Sequence, residues 1–189
     1  MKLKSKSRFA VVMSILIGVA GLALAQGGPA RFIGVNKCKF CHSSDKKGNQ
    51  YNRWKSSKHA AAYDTLAGEP ARQIVAKLGI ANAQESPKCL KCHATANGVS
   101  PNLLDPKFDP KSGVQCESCH GPGETHFRAR TGMSGVSPDV PQQVPAGEIV
   151  AKPNSKLCES CHNQESPTHK PFNFDHDFKL IAHPDPRRK

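Results

Sequence analysis

Four copies of the motif Cys-x-x-Cys-His run through this 189-residue chain and use all 8 of its cysteines. The motif is typical of c-type haem attachment: two thiols bond to the porphyrin, and the adjacent His ligates the iron. The predicted attachment residues are Cys38, Cys41, Cys89, Cys92, Cys116, Cys119, Cys158 and Cys161. The predicted proximal iron ligands are His42, His93, His120 and His162. The sequence therefore predicts four covalently bound haem c groups.

Closely spaced cysteine pairs are also found in zinc ribbons and in disulfide-bonded secreted domains. Neither arrangement needs a His directly after the second Cys of a pair, yet all four pairs have one. With 9 His in the whole chain, four such placements by chance are very rare. Haem attachment is the interpretation that accounts for every cysteine.

The N-terminus has the pattern of a secretory signal peptide. Four basic residues precede an apolar run over residues 9–25, which closes on Ala23, Leu24 and Ala25. We expect cleavage after Ala25, so that residues 1–25 are a signal peptide and residues 26–189 a single tetrahaem domain. An uncleaved membrane anchor is the alternative, because a run of this length lies at the short limit for a membrane span. The expected location is the periplasm or the cell exterior.

Aliphatic residues are scarce in the predicted mature chain. Leu, Ile, Val and Phe make up 27 of residues 26–189, a fraction typical of chains that do not fold unaided. Four porphyrins would supply the missing apolar surface, so folding should depend on haem. The motifs follow no regular repeat, and no alternating apolar pattern predicts a sheet. We expect a compact, mainly α fold with extensive loops and little or no sheet, built around four stacked haems.

The pattern predicts a helix over residues 50–67 with a stop at Gly68. A shorter helix should follow, with Pro70 in its first turn and Gly79 after its end. Each haem motif should form a short helical turn. Residues 94–113 and 129–154 are rich in Pro, Gly, Ser and Asn, and we expect loops there.

The chain carries a formal net charge of +12, of which four positive charges lie in the predicted signal peptide. Haem propionates would neutralise most of the remaining +8, so the basic composition does not indicate nucleic-acid binding. A basic cluster surrounds the first motif and is either a docking face for an acidic redox partner or a solvated surface. Its members are Lys37, Lys39, Lys46, Lys47, Arg53, Lys55 and Lys58.

The candidate distal ligands are the His residues outside the motifs: His59, His126, His169, His176 and His183. The only thioether alternative in residues 26–189 is Met133. We therefore expect two His ligands on most of the irons. Methionine ligation raises haem potentials, so its near absence predicts low ones.

Three segments resemble the cytochrome c-554 family of tetrahaem cytochromes. The first motif followed by residues 54–60 (Trp-Lys-Ser-Ser-Lys-His-Ala) is similar to the family's opening, and residues 113–123 are similar to its third haem site. Residues 172–175 and His183 resemble its C-terminal ligand region. The similarity spans most of the mature chain in motif order.

The resemblance implies that distal ligands cross between motifs. His59 would cap the fourth haem, His126 the first and His183 the third. The family's second haem has an open iron, and this chain departs from that pattern because His169 and His176 are additional candidates to close it. The resemblance also implies closely stacked haems that form a continuous electron path.

The expected function is electron transfer between larger redox proteins, without catalysis. The partners would be donor and acceptor cytochromes or oxidoreductases, with no nucleic acid, and membrane contact only if the signal stays uncleaved. One alternative is an enzyme that reduces a small nitrogen oxide at an open second haem. Another is a subunit of an extracellular haem filament. The sequence leaves the oligomeric state open.

Overall fold

The computed structural model describes residues 28–133 and 143–188, so the predicted signal peptide lies outside the described residues. Those residues form short helices joined by long loops, and they contain no β-strand beyond an isolated parallel bridge between Phe32 and Leu104. The predicted mainly α fold is confirmed. No α-helix within these two ranges is long and apolar enough to cross a bilayer.

The helices are short because the chain changes direction around each motif. The α-helices are α1 (Val35–His42), α2 (Gln50–Lys55), α3 (Ala62–Thr65), α4 (Glu69–Lys77), α5 (Pro87–His93), α6 (Cys116–His120), α7 (Glu124–Thr131), α8 (Ser155–Glu159) and α9 (Phe174–Ile181). Two 3₁₀ turns, Asp45–Lys47 and Pro101–Leu103, lie in the connections.

The continuous helix predicted over residues 50–67 was wrong, because the structure divides it into α2 and α3. Between them, the backbone N–H of Val114 donates to the carbonyl of His59 over 2.9 Å. Gly113 approaches so closely that a Cβ there would lie 2.5 Å from the Ala60 carbonyl oxygen. These backbone contacts with the third motif take the place of helical hydrogen bonds, so tertiary packing overrides local propensity.

The predicted second helix is confirmed as α4. Pro70 occupies its first turn, where a missing N–H costs no intrahelical bond, and Gly79 follows its end with a φ of +65°. The predicted helical turns at the motifs are present as well. Helices α1, α5 and α6 contain their complete motifs, whereas α8 ends at Glu159 and a further hydrogen-bonded turn carries His162.

Helix α7 begins before the predicted loop over residues 129–154 and runs into it, and α9 was not predicted at all. The Asn173 side chain caps α9 by accepting a hydrogen bond from the backbone N–H of His176 over 3.0 Å. Asn at this position is a recognised start signal, so α9 was within reach of sequence reasoning.

Buried polar side chains, as well as apolar ones, connect the segments of the described chain. The buried apolar set in the described chain is small: Ile33, Val35, Tyr51, Leu66, Val75, Ala83 and Ala94. Glu117 is 3% exposed, and its carboxylate accepts hydrogen bonds from the backbone N–H groups of Ile33, Gly34 and Gly123. The Gln115 side chain accepts from the N–H of Val35. The third motif thereby holds the segment that leads into the first.

Candidate haem-binding site

All eight motif cysteines lie in the described residues, and none forms a disulfide. No group of three or more His, Cys, Asp or Glu side chains in residues 28–133 and 143–188 is arranged to hold a metal ion. A structural zinc site needs four such ligands around one point. The geometry therefore favours neither of the alternatives to haem.

Burial raises the pKa of several motif thiols. Burial raises the pKa of Cys119 to about 11, with a further contribution from the neighbouring Cys158. A thiol with a raised pKa is a poor thiolate ligand for zinc and a slow redox nucleophile. Thioether formation with a vinyl group removes the ionisable proton altogether.

Three pairs of imidazoles face each other across the structure. The ring centroids of His42 and His126 lie 6.2 Å apart, and those of His59 and His162 lie 6.0 Å apart. The third pair, His120 and His183, is also 6.0 Å apart. Each pair joins one motif His to one His outside the motifs.

These separations match two imidazoles on opposite sides of one metal ion. Two metal–nitrogen bonds of about 2.0 Å, with about 1.1 Å from each nitrogen to its ring centroid, would place the two ring centroids about 6.2 Å apart. The pairs are those that the family resemblance implies for the first, fourth and third haems. The residues thus fit haem iron, and ligation by these six His stays a prediction.

Hydrogen bonds at Nδ1 leave the other ring nitrogen available. His120 Nδ1 lies 2.5 Å from the Val150 carbonyl, and His183 Nδ1 lies 2.7 Å from the Ile181 carbonyl. A carbonyl oxygen can only accept, so Nδ1 carries the proton and the neutral ring keeps its lone pair on Nε2. Such partners fix the tautomer and orientation of metal-binding His.

The rings are also held in the neutral state that metal ligation needs. Burial lowers the pKa of His42, His59 and His120, and a neighbouring His adds to the effect in each case. A lowered pKa means that these imidazoles are unprotonated at neutral pH.

The second motif differs from the other three. His93 donates from Nδ1 to the Ala62 carbonyl over 2.7 Å, so its Nε2 is available like the others. Of the nine His, all of which the structure describes, none lies opposite His93 in a ring pair.

The structure brings neither extra candidate to the second motif. The side chain of His176 is 72% exposed and contacts Asp177, while His169 lies exposed in a turn after the fourth motif. Met133 contacts Arg130 over 3.7 Å rather than any motif His. These three positions therefore show no arrangement for closing the second site.

Contacts between motifs give their order in space. Helix α1 contacts α6, and Cys116 raises the pKa of Cys38, so the first motif lies beside the third. The Cys161 thiol reaches the carbonyl of Lys91 over 3.9 Å, which places the fourth beside the second. An ion pair between Lys91 and Glu165 joins these two motifs again.

Sequence reasoning missed one polar contact of the site. Glu148 lies in a loop after the undescribed residues 134–142, and its side chain is 8% exposed. It accepts hydrogen bonds from His126 Nδ1 and from Arg130. Burial opposes its ionisation, but these two partners outweigh that effect and lower its pKa. No sequence motif predicts this role for Glu148, because its contact with His126 forms only when the loop folds against α7.

A helical fold with four Cys-x-x-Cys-His motifs, three of which bring a second imidazole close to the motif His, is typical of c-type cytochromes. Residues 37–121 match the family model described as cytochrome c554 and c-prime. The chain is also 27% identical over 161 residues to cytochrome c-554 of Nitrosomonas europaea. Both comparisons place the similarity of this chain with the cytochrome c-554 family, the family that its motifs resemble.

The match with the Nitrosomonas protein covers 80% of this chain and 65% of that relative. The chain thus matches slightly less than two thirds of the relative's length. No significant match to a solved structure was found.

Proposed function

We propose that this protein is a tetrahaem electron carrier of the periplasm or cell exterior that passes electrons between larger redox proteins. The observation that carries the proposal is the set of three opposed His pairs at 6.0–6.2 Å. Haem c supplies one-electron oxidation and reduction when bound. The His pairs would occupy both axial positions of three irons and so keep substrates away from them.

The neighbour relations of the motifs support a continuous electron path. The first motif lies beside the third through Cys38 and Cys116, and the second lies beside the fourth through Lys91 and Glu165. Cys158 contributes to the raised pKa of Cys119, which indicates that the third motif lies near the fourth. These contacts favour the spatial order first, third, fourth and second.

The partners that we propose are a donor and an acceptor redox protein. The basic cluster defined above surrounds the first motif, at one end of this order, and would suit an acidic partner. Three of its members also have partners within the chain: Lys37 is paired with Asp105 over 2.7 Å, Lys39 lies over the ring of Tyr51, and Arg53 donates to the Ala182 carbonyl. We also propose that the protein is exported and that its signal peptide is cleaved after Ala25.

The test is a haem count and a spin-state measurement on the exported protein. Intact mass and a pyridine haemochrome assay should give four covalent haems, and free thiols should be absent. Electron paramagnetic resonance should show at least three low-spin ferric haems. Bound zinc, acid-extractable haem or mainly high-spin iron would contradict the proposal.

A second candidate function follows from His93, which has no imidazole opposite it. An open iron there would allow the protein to bind and reduce a small ligand such as a nitrogen oxide. The two arginines that follow the third motif do not extend this argument, because Arg128 is paired with Glu124 and Arg130 with Glu148.

Carbon monoxide binding to the reduced protein separates the two functions. Fast binding at one haem in four, with turnover of nitrite or nitric oxide, would favour the enzyme. Binding without turnover would leave the carrier as the function. His169→Ala and His176→Ala should leave the binding unchanged, because neither side chain lies opposite His93.

A further inference from the structure

The six His of the three opposed pairs do not share the same hydrogen-bond partners. His120 and His183 donate to neutral backbone carbonyls, and His42 lies 3.4 Å from the Gln50 side-chain amide. His126 alone among the six donates to a carboxylate, with 2.6 Å between its Nδ1 and Glu148 Oε1. The distal side of the first site therefore differs chemically from the other two pairs.

A carboxylate partner changes the strength of an imidazole ligand. Donation from Nδ1–H to a negative oxygen shifts electron density to Nε2 and raises the basicity of the ligand. A more basic iron ligand stabilises ferric over ferrous iron, so the hydrogen bonds that a ligand makes at its other nitrogen help to set the haem potential. Carbonyl partners have the same effect more weakly because they carry no net charge.

We propose that Glu148 is a positioning residue that orients His126 and lowers the reduction potential of the first haem. This inference rests on the proposed ligation of that haem by His42 and His126. It assigns to Glu148 a role in setting the direction of electron flow, since a lowered potential makes the first haem a better donor to its neighbour.

The loop that carries Glu148 is anchored independently of His126. The backbone N–H of Val150 donates to the His120 carbonyl over 2.9 Å, and His120 Nδ1 donates back to the Val150 carbonyl. The N–H of Glu148 donates to the Pro145 carbonyl over 3.1 Å. One short loop thus contacts an imidazole of the first site and an imidazole of the third. The contacts with His120 hold the loop, and with it the Glu148 carboxylate, in place beside His126.

Arg130 opposes the charge of Glu148 from the other side. Its guanidinium lies 2.6 Å from Oε1 and 2.9 Å from Oε2, and it also donates to the Gln143 carbonyl. The ion pair keeps Glu148 charged in a nearly buried position, while it draws part of the negative charge away from His126. Removal of Arg130 should therefore strengthen the effect of Glu148.

The test is a redox titration of the exported holoprotein with Glu148→Gln, which keeps the size of the side chain and removes its charge. We expect one reduction step to rise, with about a tenfold change in the ferric-to-ferrous ratio at a fixed potential, or about 59 mV for one electron. The low-spin ferric resonance of the same haem should shift, and the other steps should stay in place.

Glu124→Gln is the matched control. Glu124 lies on the helix that carries His126 and is paired with Arg31 and Arg128, but it contacts no His. A shift in Glu148→Gln with none in Glu124→Gln supports the proposal. Equal shifts in both variants would overturn it, because the effect would then be that of lost charge alone.

Arg130→Gln provides a second measurement if Glu148→Gln folds poorly. It should lower the potential of the same step, and in the Glu148→Gln background the change should be smaller because the two residues act through one contact. An unchanged or raised potential would contradict the proposal. Missing covalent haem or a high-spin first haem in the wild type would instead refute the ligation itself, so the two failures are distinguishable.

Discussion

The imidazoles of His59 and His162 lie 6.0 Å apart with their planes at 87°, although His59 precedes α3 and His162 is the last residue of the fourth motif. The ring of Phe172 also stacks on His162, with 5.0 Å between the two centroids. An iron between two such rings would join distant parts of the chain. In a protein with few buried apolar residues, such cross-links would stabilise the fold as a metal does in a small domain.

The first prediction concerns His59. Replacement of His59 by Ala should leave the fourth haem with one protein ligand, because no other His lies opposite His162. One haem should become high-spin and bind carbon monoxide quickly, as measured by electron paramagnetic resonance and stopped-flow absorbance. His176→Ala is the control and should be silent. An unchanged low-spin spectrum in His59→Ala would contradict the ligand assignment.

The second prediction compares two identical pentapeptides, Cys-Glu-Ser-Cys-His, in the third and fourth motifs. Glu117 accepts three backbone hydrogen bonds in a buried position, whereas Glu159 is exposed. Glu117→Ala should lower the free energy of unfolding by about 3 kcal/mol or more, since each orphaned buried donor costs about 1–3 kcal/mol. Glu159→Ala should change it by less than about 0.5 kcal/mol. Denaturant unfolding of both holoproteins measures the difference, and equal losses would contradict it.

The third prediction concerns acid stability. The hydrogen bonds and charge of Arg31 lower the pKa of Glu124 from 4.5 to about 2. A carboxyl whose folded pKa lies below its unfolded value stabilises the protein above the unfolded pKa, and this contribution falls as the pH drops from about 4.5 towards about 2. Glu124→Gln should therefore be less stable than the wild type at pH 6, with a difference that narrows towards pH 2. A constant difference across that range would refute the assignment.

The fourth prediction concerns the dependence of folding on haem. Replacement of Cys158 and Cys161 by Ala should remove one covalent haem, visible by intact mass, and should lower the unfolding midpoint of the whole domain. The described interior has too few buried aliphatic side chains to compensate. Ser160→Ala, between the same two cysteines, should keep all the haems. Retention of wild-type stability by the double variant would show that the core does not need the fourth haem.

Much of the site was open to prediction from the sequence, because covalent haem attachment demands a fixed local pattern. The thiols and the proximal His must lie on one helical turn, so their spacing is visible in the chain. The distal His have no such local constraint. Their pairing came only from the resemblance to a family, and the ring distances now support three of those pairs.

The failures of prediction share one physical cause. The helix expected over residues 50–67 is interrupted where Val114 and Gly113 meet the backbone of His59 and Ala60. Glu148 escaped notice because its contact with His126 requires a loop to fold back onto α7. Both features depend on contacts between residues far apart in sequence, and local sequence patterns do not predict such contacts.

The sequence by itself determined the pattern that predicts haem c: four Cys-x-x-Cys-His motifs on a chain short of aliphatic residues. Tertiary structure decided what each repeated element does. Glu117 and Glu159 occupy the same place in identical pentapeptides, yet the Glu117 carboxylate accepts three backbone hydrogen bonds in a buried position and Glu159 is exposed. The reason is that hydrogen bonding and burial depend on which segments surround a residue, and only the folded chain brings those segments together.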